Sequence, residues 1–196
     1  MAYPSVSAPY GLVPIGLVGG RDFVGAIRQI PIASAYGTAI FNGDIVKLVT
    51  GGNIEKDVGT SACTPVGIFL GCFFTDSTMG PRHQNYWPAS QAASDAVGYV
   101  LDDPEVLFKV AVLSSGTTIS SLARTDVGAN LTVIQNAGST VNGRSKVGVD
   151  DTSATTNTYP VRVIDLVDET VNSSGGYTEA ICKWNVGHQY ENTTGV

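Results

Sequence analysis

The sequence predicts an all-β protein: a barrel or a sandwich with long loops, one or at most two short helices, and an extended N-terminal arm. Three observations predict it. The runs Gly43-Asp44-Ile45-Val46-Lys47-Leu48-Val49 and Pro65-Val66-Gly67-Ile68-Phe69-Leu70-Gly71-Cys72-Phe73-Phe74 break any polar/apolar alternation, so both faces of each strand need cover. Turn-forming clusters recur between Val-, Ile- and Thr-rich runs along the chain. Only 14% of the 196 residues are charged, against about 25% in ordinary soluble domains, which suits a chain whose surface is partly covered by other chains.

Residues 1–26 come first and read as an arm. Pro4, Pro9 and Pro14 fix φ and push their predecessors to extended geometry, and no charge occurs before Arg21. Leu12, Val13, Ile15, Leu17, Val18 and Phe23 need cover, either from the body of the same molecule or from a different chain. A different chain is the expected partner, and the arm is expected to be dispensable for the body itself.

Residues 27–196 read as one β-rich domain, with its core in 27–113 and a loop-rich second half in 114–196. Strands are expected at Arg28–Ser34, Asp44–Val49, Ile54–Lys56 and Val66–Phe74, with Thr50-Gly51-Gly52-Asn53 as a hairpin turn and Ile54–Asp57 as a polar return strand. His83–Trp87 is a candidate returning strand, and the small residues Ala89–Ala96 allow a short helix. Val97–Leu101 and Val106–Leu113 are strands separated by the turn Asp102-Asp103-Pro104-Glu105. Thr117–Arg124 is a second candidate helical turn. Leu131–Gln135, Lys146–Val149, Tyr159–Val167 and Thr178–Asn185 are the late strands, and the polar runs 136–145 and 150–158 are exposed loops.

Candidate chemistry is sparse. Asp102, Asp103 and Glu105, then Asp150 and Asp151, then Asp165, Asp168 and Glu169 offer carboxylate pairs, but a glycosidase needs two carboxyls facing each other across a cleft and these sit at turns. No acidic run has the spacing of a calcium loop. His83 and His188 lack a zinc-site spacing, no Gly-x-Ser-x-Gly elbow is present, and Gly16–Gly25 fits neither phosphate-binding pattern. The expectation is a non-enzyme that needs no metal and no cofactor.

Net charge is −6 with scattered cations, which argues against nucleic acid as a partner. No apolar run approaches the length of a membrane span, and residues 1–6 have no basic region of a secretory signal, so neither membrane nor export is expected. Cys63, Cys72 and Cys182 have no CxxC spacing and an odd count; Cys72 and Cys182 read as small buried hydrophobes, consistent with folding in a reducing cytoplasm. Asn85-Tyr86-Trp87-Pro88 has two readings: Tyr86 and Trp87 form an exposed patch for a sugar or a protein partner, or an aromatic plug at one end of the core. Trp184, alternating with Cys182, reads as core.

The strand Gly43–Leu48, its glycine turn, the polar strand and Pro65-Val66-Gly67-Ile68-Phe69-Leu70-Gly71 together resemble the core of head decoration, or capsid cement, proteins of tailed bacteriophages, especially marine and cyanobacterial phages. The resemblance covers roughly residues 28–112. It implies a structural virion protein made in the bacterial cytoplasm that binds the major capsid protein on the outside of an assembled capsid, usually as a homotrimer, and strengthens it. The rival expectation is a carbohydrate-binding or tail-associated adhesin that uses Tyr86 and Trp87.

Overall fold

A computed structural model describes residues 8–21, 24–25, 27–170, 178–191 and 195–196. Among them the elements run β1 (Val13–Leu17), β2 (Arg28–Pro31), β3 (Ile40–Phe41), β4 (Ile45–Val49), β5 (Asn53–Lys56), β6 (Gly67–Asp76), β7 (Gly80–Gln84), β8 (Tyr86–Trp87) and β9 (Val97–Leu101). They continue with β10 (Val106–Ser115), β11 (Thr118–Ile119), β12 (Asn130–Leu131), β13 (Val133–Ile134), β14 (Gly148–Asp150), β15 (Val161–Leu166) and β16 (Glu179–Trp184). Helical structure in these residues is confined to 3-10 turns at Arg124–Asp126 and Asp168–Thr170. The protein is all-β.

One sheet runs β2-β9-β6-β4-β5, with β7 added on β6; the other runs β12-β15-β16-β10-β14-β13, with β1 and β11 on β10. The short pair β3–β8 stands apart. The first sheet curls until its two edges meet at a single parallel bridge, Ile32 to Ile54, and no continuous ladder joins them. Among the described residues no sheet closes into a barrel, and the arrangement is sandwich-like.

The doubly apolar strands have a direct explanation. Successive residues of an extended chain point to opposite faces, and here each face meets a different core. Ile45, Ile68 and Leu101 enter one apolar cluster, built mainly by the second sheet with Phe108, Val110, Val163 and Trp184. Val46, Phe69 and Val100, the adjacent residues on β4, β6 and β9, enter the other, with Ile40, Phe74 and Trp87. The first sheet is thus a partition between two cores. Each such side chain contributes about 1.5–3 kcal/mol when fully buried.

Val13–Leu17 of the expected arm is built into the second sheet. Val13 faces Lys109 and Leu17 faces Val106 in an antiparallel ladder that is broken by a bulge between Pro14 and Gly16. Proline is tolerated here because an edge strand leaves one side without ladder bonds, and the bulge absorbs its fixed φ. Leu12 is buried in the core of its own chain and its N–H donates to the Gly43 carbonyl at 3.0 Å.

The expected turn between β9 and β10 carries the chain from one sheet to the other, held by the Glu105 N–H donating to Asp103 Oδ1 at 2.8 Å. Two expected helical segments give way to tertiary structure. The run 89–96 is irregular, since Ala35 and Ser90 both take positive φ and the two loops bond reciprocally, Ala35 N–H to the Gln91 carbonyl and Ser90 N–H to the Tyr36 carbonyl, each at 2.8 Å. In 117–124, Thr118–Ile119 returns as a strand on β10 because that edge offers ladder partners.

Candidate functional site

Asp44 begins the geometry of the site. It precedes β4 at the seam between the cores and is wholly buried, so its carboxylate must be satisfied internally. Oδ2 accepts the Phe41 N–H at 2.9 Å and pairs with Lys56 Nζ at 2.9 Å; Oδ1 accepts the Ser145 hydroxyl at 2.6 Å. Ser145 Oγ in turn accepts the Val147 N–H at 3.0 Å. The strand Asn53–Lys56, expected over Ile54–Asp57 as a polar return strand, turns Ile54 and Lys56 inward. The period-two pair Ile54 and Lys56 was the signal for this in the sequence.

Around Asp44 the main chain is too close for side chains. Gly11 has φ +83°, and a Cβ there would lie 2.6 Å from Ser145 Cβ and 2.9 Å from the Gly43 carbonyl oxygen. The Asn42 N–H donates to the Gly143 carbonyl at 3.0 Å and the Ser145 N–H to the Asn42 carbonyl at 2.9 Å. This clamps the base of the loop 139–144 to the body.

The loop itself is a tight turn. The Ser139 N–H donates to the Arg144 carbonyl and the Gly143 N–H to the Ser139 carbonyl, both at 2.8 Å, while Asn142 Oδ1 accepts the Arg144 N–H at 3.0 Å. Gly143, at φ +70°, leaves no room for a side chain: a Cβ would sit 2.7 Å from Asn85 Cβ. At the apex Val141 is 96% exposed. A rigid loop thus carries an apolar side chain into solvent.

A cleft lies on either side of this loop. One, of about 210 Å³, is lined by Gln84, Asn85, Tyr86, Thr140, Val141 and Asn142. The other, of about 280 Å³, is lined by Pro9, Tyr10, Ser139, Asn142, Arg144 and Lys146 and has no carboxylate among the described residues of its wall. The loop 136–145 reads from sequence only as exposed. The available signal was Val141, a lone large apolar residue beside an Asn-Gly turn pair.

The residues expected to bind a partner divide sharply. Leu12 is buried, Val13, Leu17 and Val18 are half-buried, and Phe23 lies outside the described residues. Ile15, the extra residue of the β1 bulge, is 45% exposed. Trp87 is fully buried, edge-on to Phe74 with ring centroids 5.4 Å apart, and its Nε1 donates to the Tyr36 carbonyl at 3.3 Å. That is the plug reading, and it removes Trp87 from any exposed patch. Tyr86 is half-buried, stacked on Phe41 at 5.4 Å, and borders the smaller cleft.

Several other ionisable groups serve the fold. Asp76, Asp103 and Asp150 accept backbone N–H groups within their turns. Asp165 is held below the usual carboxylate range by the Leu166 N–H and by Arg124. Tyr10 donates to Glu179 at 2.5 Å, and burial together with that carboxylate raises its phenol well above the ordinary value. His188 is buried beside Trp184 and Tyr190, and burial lowers its imidazole from 6.5. Cys63, Cys72 and Cys182 are free and buried, and burial pushes the first two thiols up to about 12. Among the described residues no three His, Cys, Asp or Glu side chains converge as metal ligands, and no helix is long and apolar enough to cross a membrane. In comparisons with protein-family models, curated proteins and solved structures, nothing matches this chain.

Proposed function

We propose that the protein is a structural virion component that binds the outer surface of a phage capsid through the major capsid protein and stabilises it as a homotrimer bridging neighbouring subunits. The observation that carries this reading is the apolar apex Val141 on a loop whose base is clamped to Asn42. A rigid exposed apolar side chain suits docking on a partner, because little conformational freedom is lost on binding. The resemblance of Gly43–Leu48 and Pro65–Gly71 to capsid cement proteins supplies the partner. Exposed Ile15, Val24 and Ile27 add apolar surface near the first strands.

The mechanism is linkage. A protein that binds only the assembled lattice stabilises it in proportion to the logarithm of its concentration over Kd, about 2.7 kcal/mol per site at a hundredfold excess. No chemical step is required. The adhesin alternative loses one of its two aromatics with the burial of Trp87.

The test is co-sedimentation of purified protein with undecorated capsids, combined with calorimetry of the particles. Bound protein should raise the capsid melting temperature, and Val141→Asp should weaken binding by about tenfold or more, a charge in an apolar contact being costly. Absence of wild-type protein from the capsid pellet would defeat the reading.

A further inference from the structure

Arg144 and Lys146 line the larger cleft beside the 139–144 loop, and neither side chain pairs with a carboxylate among the described residues. Arg21, Arg28, Lys56, Lys109 and Arg124 pair with Glu105, Asp102, Asp44, Glu179 and Asp165; Lys47, Arg82, Arg162 and Lys183 also stand outside these pairs, and what sets Arg144 and Lys146 apart is that they share one cleft. In a chain of net charge −6, a two-cation cleft with no carboxylate among the described residues of its wall is a local reversal of sign.

The groups free in this cleft are donors. Asn142 Oδ1 is occupied by the Arg144 N–H, which leaves its amide NH2 available, and the Ser139 hydroxyl lines the same wall. The Ser145 hydroxyl is committed to Asp44 and takes no part. Guanidinium, ammonium, amide and hydroxyl donors together fit a carboxylate, which an arginine fork can hold in two parallel hydrogen bonds. At about 280 Å³ the cleft is just below the size of ordinary small-ligand pockets, about 300–1,000 Å³. It suits an acidic side chain and the backbone that carries it.

We propose that this cleft seats an Asp or Glu side chain of an acidic protein segment, with an adjacent apolar residue of that segment against Val141. The inference rests on the reading that the molecule docks on protein, and it specifies the chemistry of one contact. Two cations form a point and not a stripe, so a nucleic acid backbone is poorly matched. The seat is preorganised by the same hydrogen bonds that hold the loop.

The test is an NMR titration of the full chain with acetylated hexaglutamate, with hexaglutamine and sodium sulfate in parallel arms at matched ionic strength. Saturable shifts confined to amides around 139–146, absent with hexaglutamine and weakened by about tenfold or more in R144Q/K146Q, are expected. Both residues are set on the surface of the cleft, and the melting temperature of the variant should coincide with that of the wild type. Equal binding of hexaglutamate by the variant, equal shifts with hexaglutamine, or sulfate binding as tight as hexaglutamate would each overturn the proposal. In capsid co-sedimentation, undiminished binding of R144Q/K146Q would overturn it and leave the capsid reading standing. Hexaglutamate binding by a protein that ignores capsids would support it and reject the capsid reading.

Discussion

Lys56 Nζ lies 2.9 Å from Asp44 Oδ2, with both side chains buried at the seam where the first sheet, the N-terminal segment and the 139–147 segment meet. The pair is an internal tie: Asp44 also takes hydrogen bonds from Phe41 and Ser145. Breaking such a pair on one side costs more than the pair contributes, because a buried charge is left without compensation.

Lys56→Met should therefore destabilise the fold by about 3–5 kcal/mol, read as a lower urea midpoint. A double-mutant cycle with Ser145→Ala should show coupling, since both partners bond the same carboxylate. Additive losses would show that Asp44 is solvated.

Gly11→Ala should cost about 1–3 kcal/mol, from a positive φ and a collision with Ser145 Cβ and the Gly43 carbonyl. Gly16→Ala serves as the control, having open space at its Cβ and no positive φ. Thermal melts of the two variants should separate clearly.

Removing residues 1–18 should lower the melting temperature and promote aggregation. Leu12 leaves the core and β10 loses the strand that covers Val106–Lys109, exposing a new edge. A truncated protein that melts like the full chain would show that β1 contributes nothing to the second sheet.

His188 should make stability fall with acid. Burial lowers its folded pKa below 6.5, partly opposed by Glu191, Asp102, Asp103 and the Val66 carbonyl. The unfolded chain therefore binds the proton first. The stabilisation is complete above 6.5 and declines as pH falls from there toward the folded pKa. His188→Gln should flatten the difference between urea midpoints at about pH 7.5 and pH 5.5; an unchanged slope would assign it to other groups.

Iodoacetamide at about pH 8 should label none of the three cysteines in the folded protein within the time that labels all three in urea. Burial of each and the raised thiol pKa values both suppress the reactive thiolate.

Much of the strand set was legible because the signal is local. Ile45 and Val46, or Ile68 and Phe69, announce cover on both faces by being apolar at consecutive positions, and the turn at Asp102–Glu105 announces itself by Asp and Pro chemistry. Sequence by itself thus determined the all-β class, the order of the main strands and the burial of Cys72, Cys182 and Trp184. Tertiary structure alone decided which core each face enters, that β1 joins β10, that Trp87 turns inward, and that Lys56 meets Asp44 and Ser145. It also decided that Arg144 and Lys146 flank one cleft beside residues 9 and 10. The physical reason is separation along the chain: Asp44 and Ser145 are 101 residues apart, and no local pattern of propensity or period encodes which distant donor will satisfy a buried acceptor.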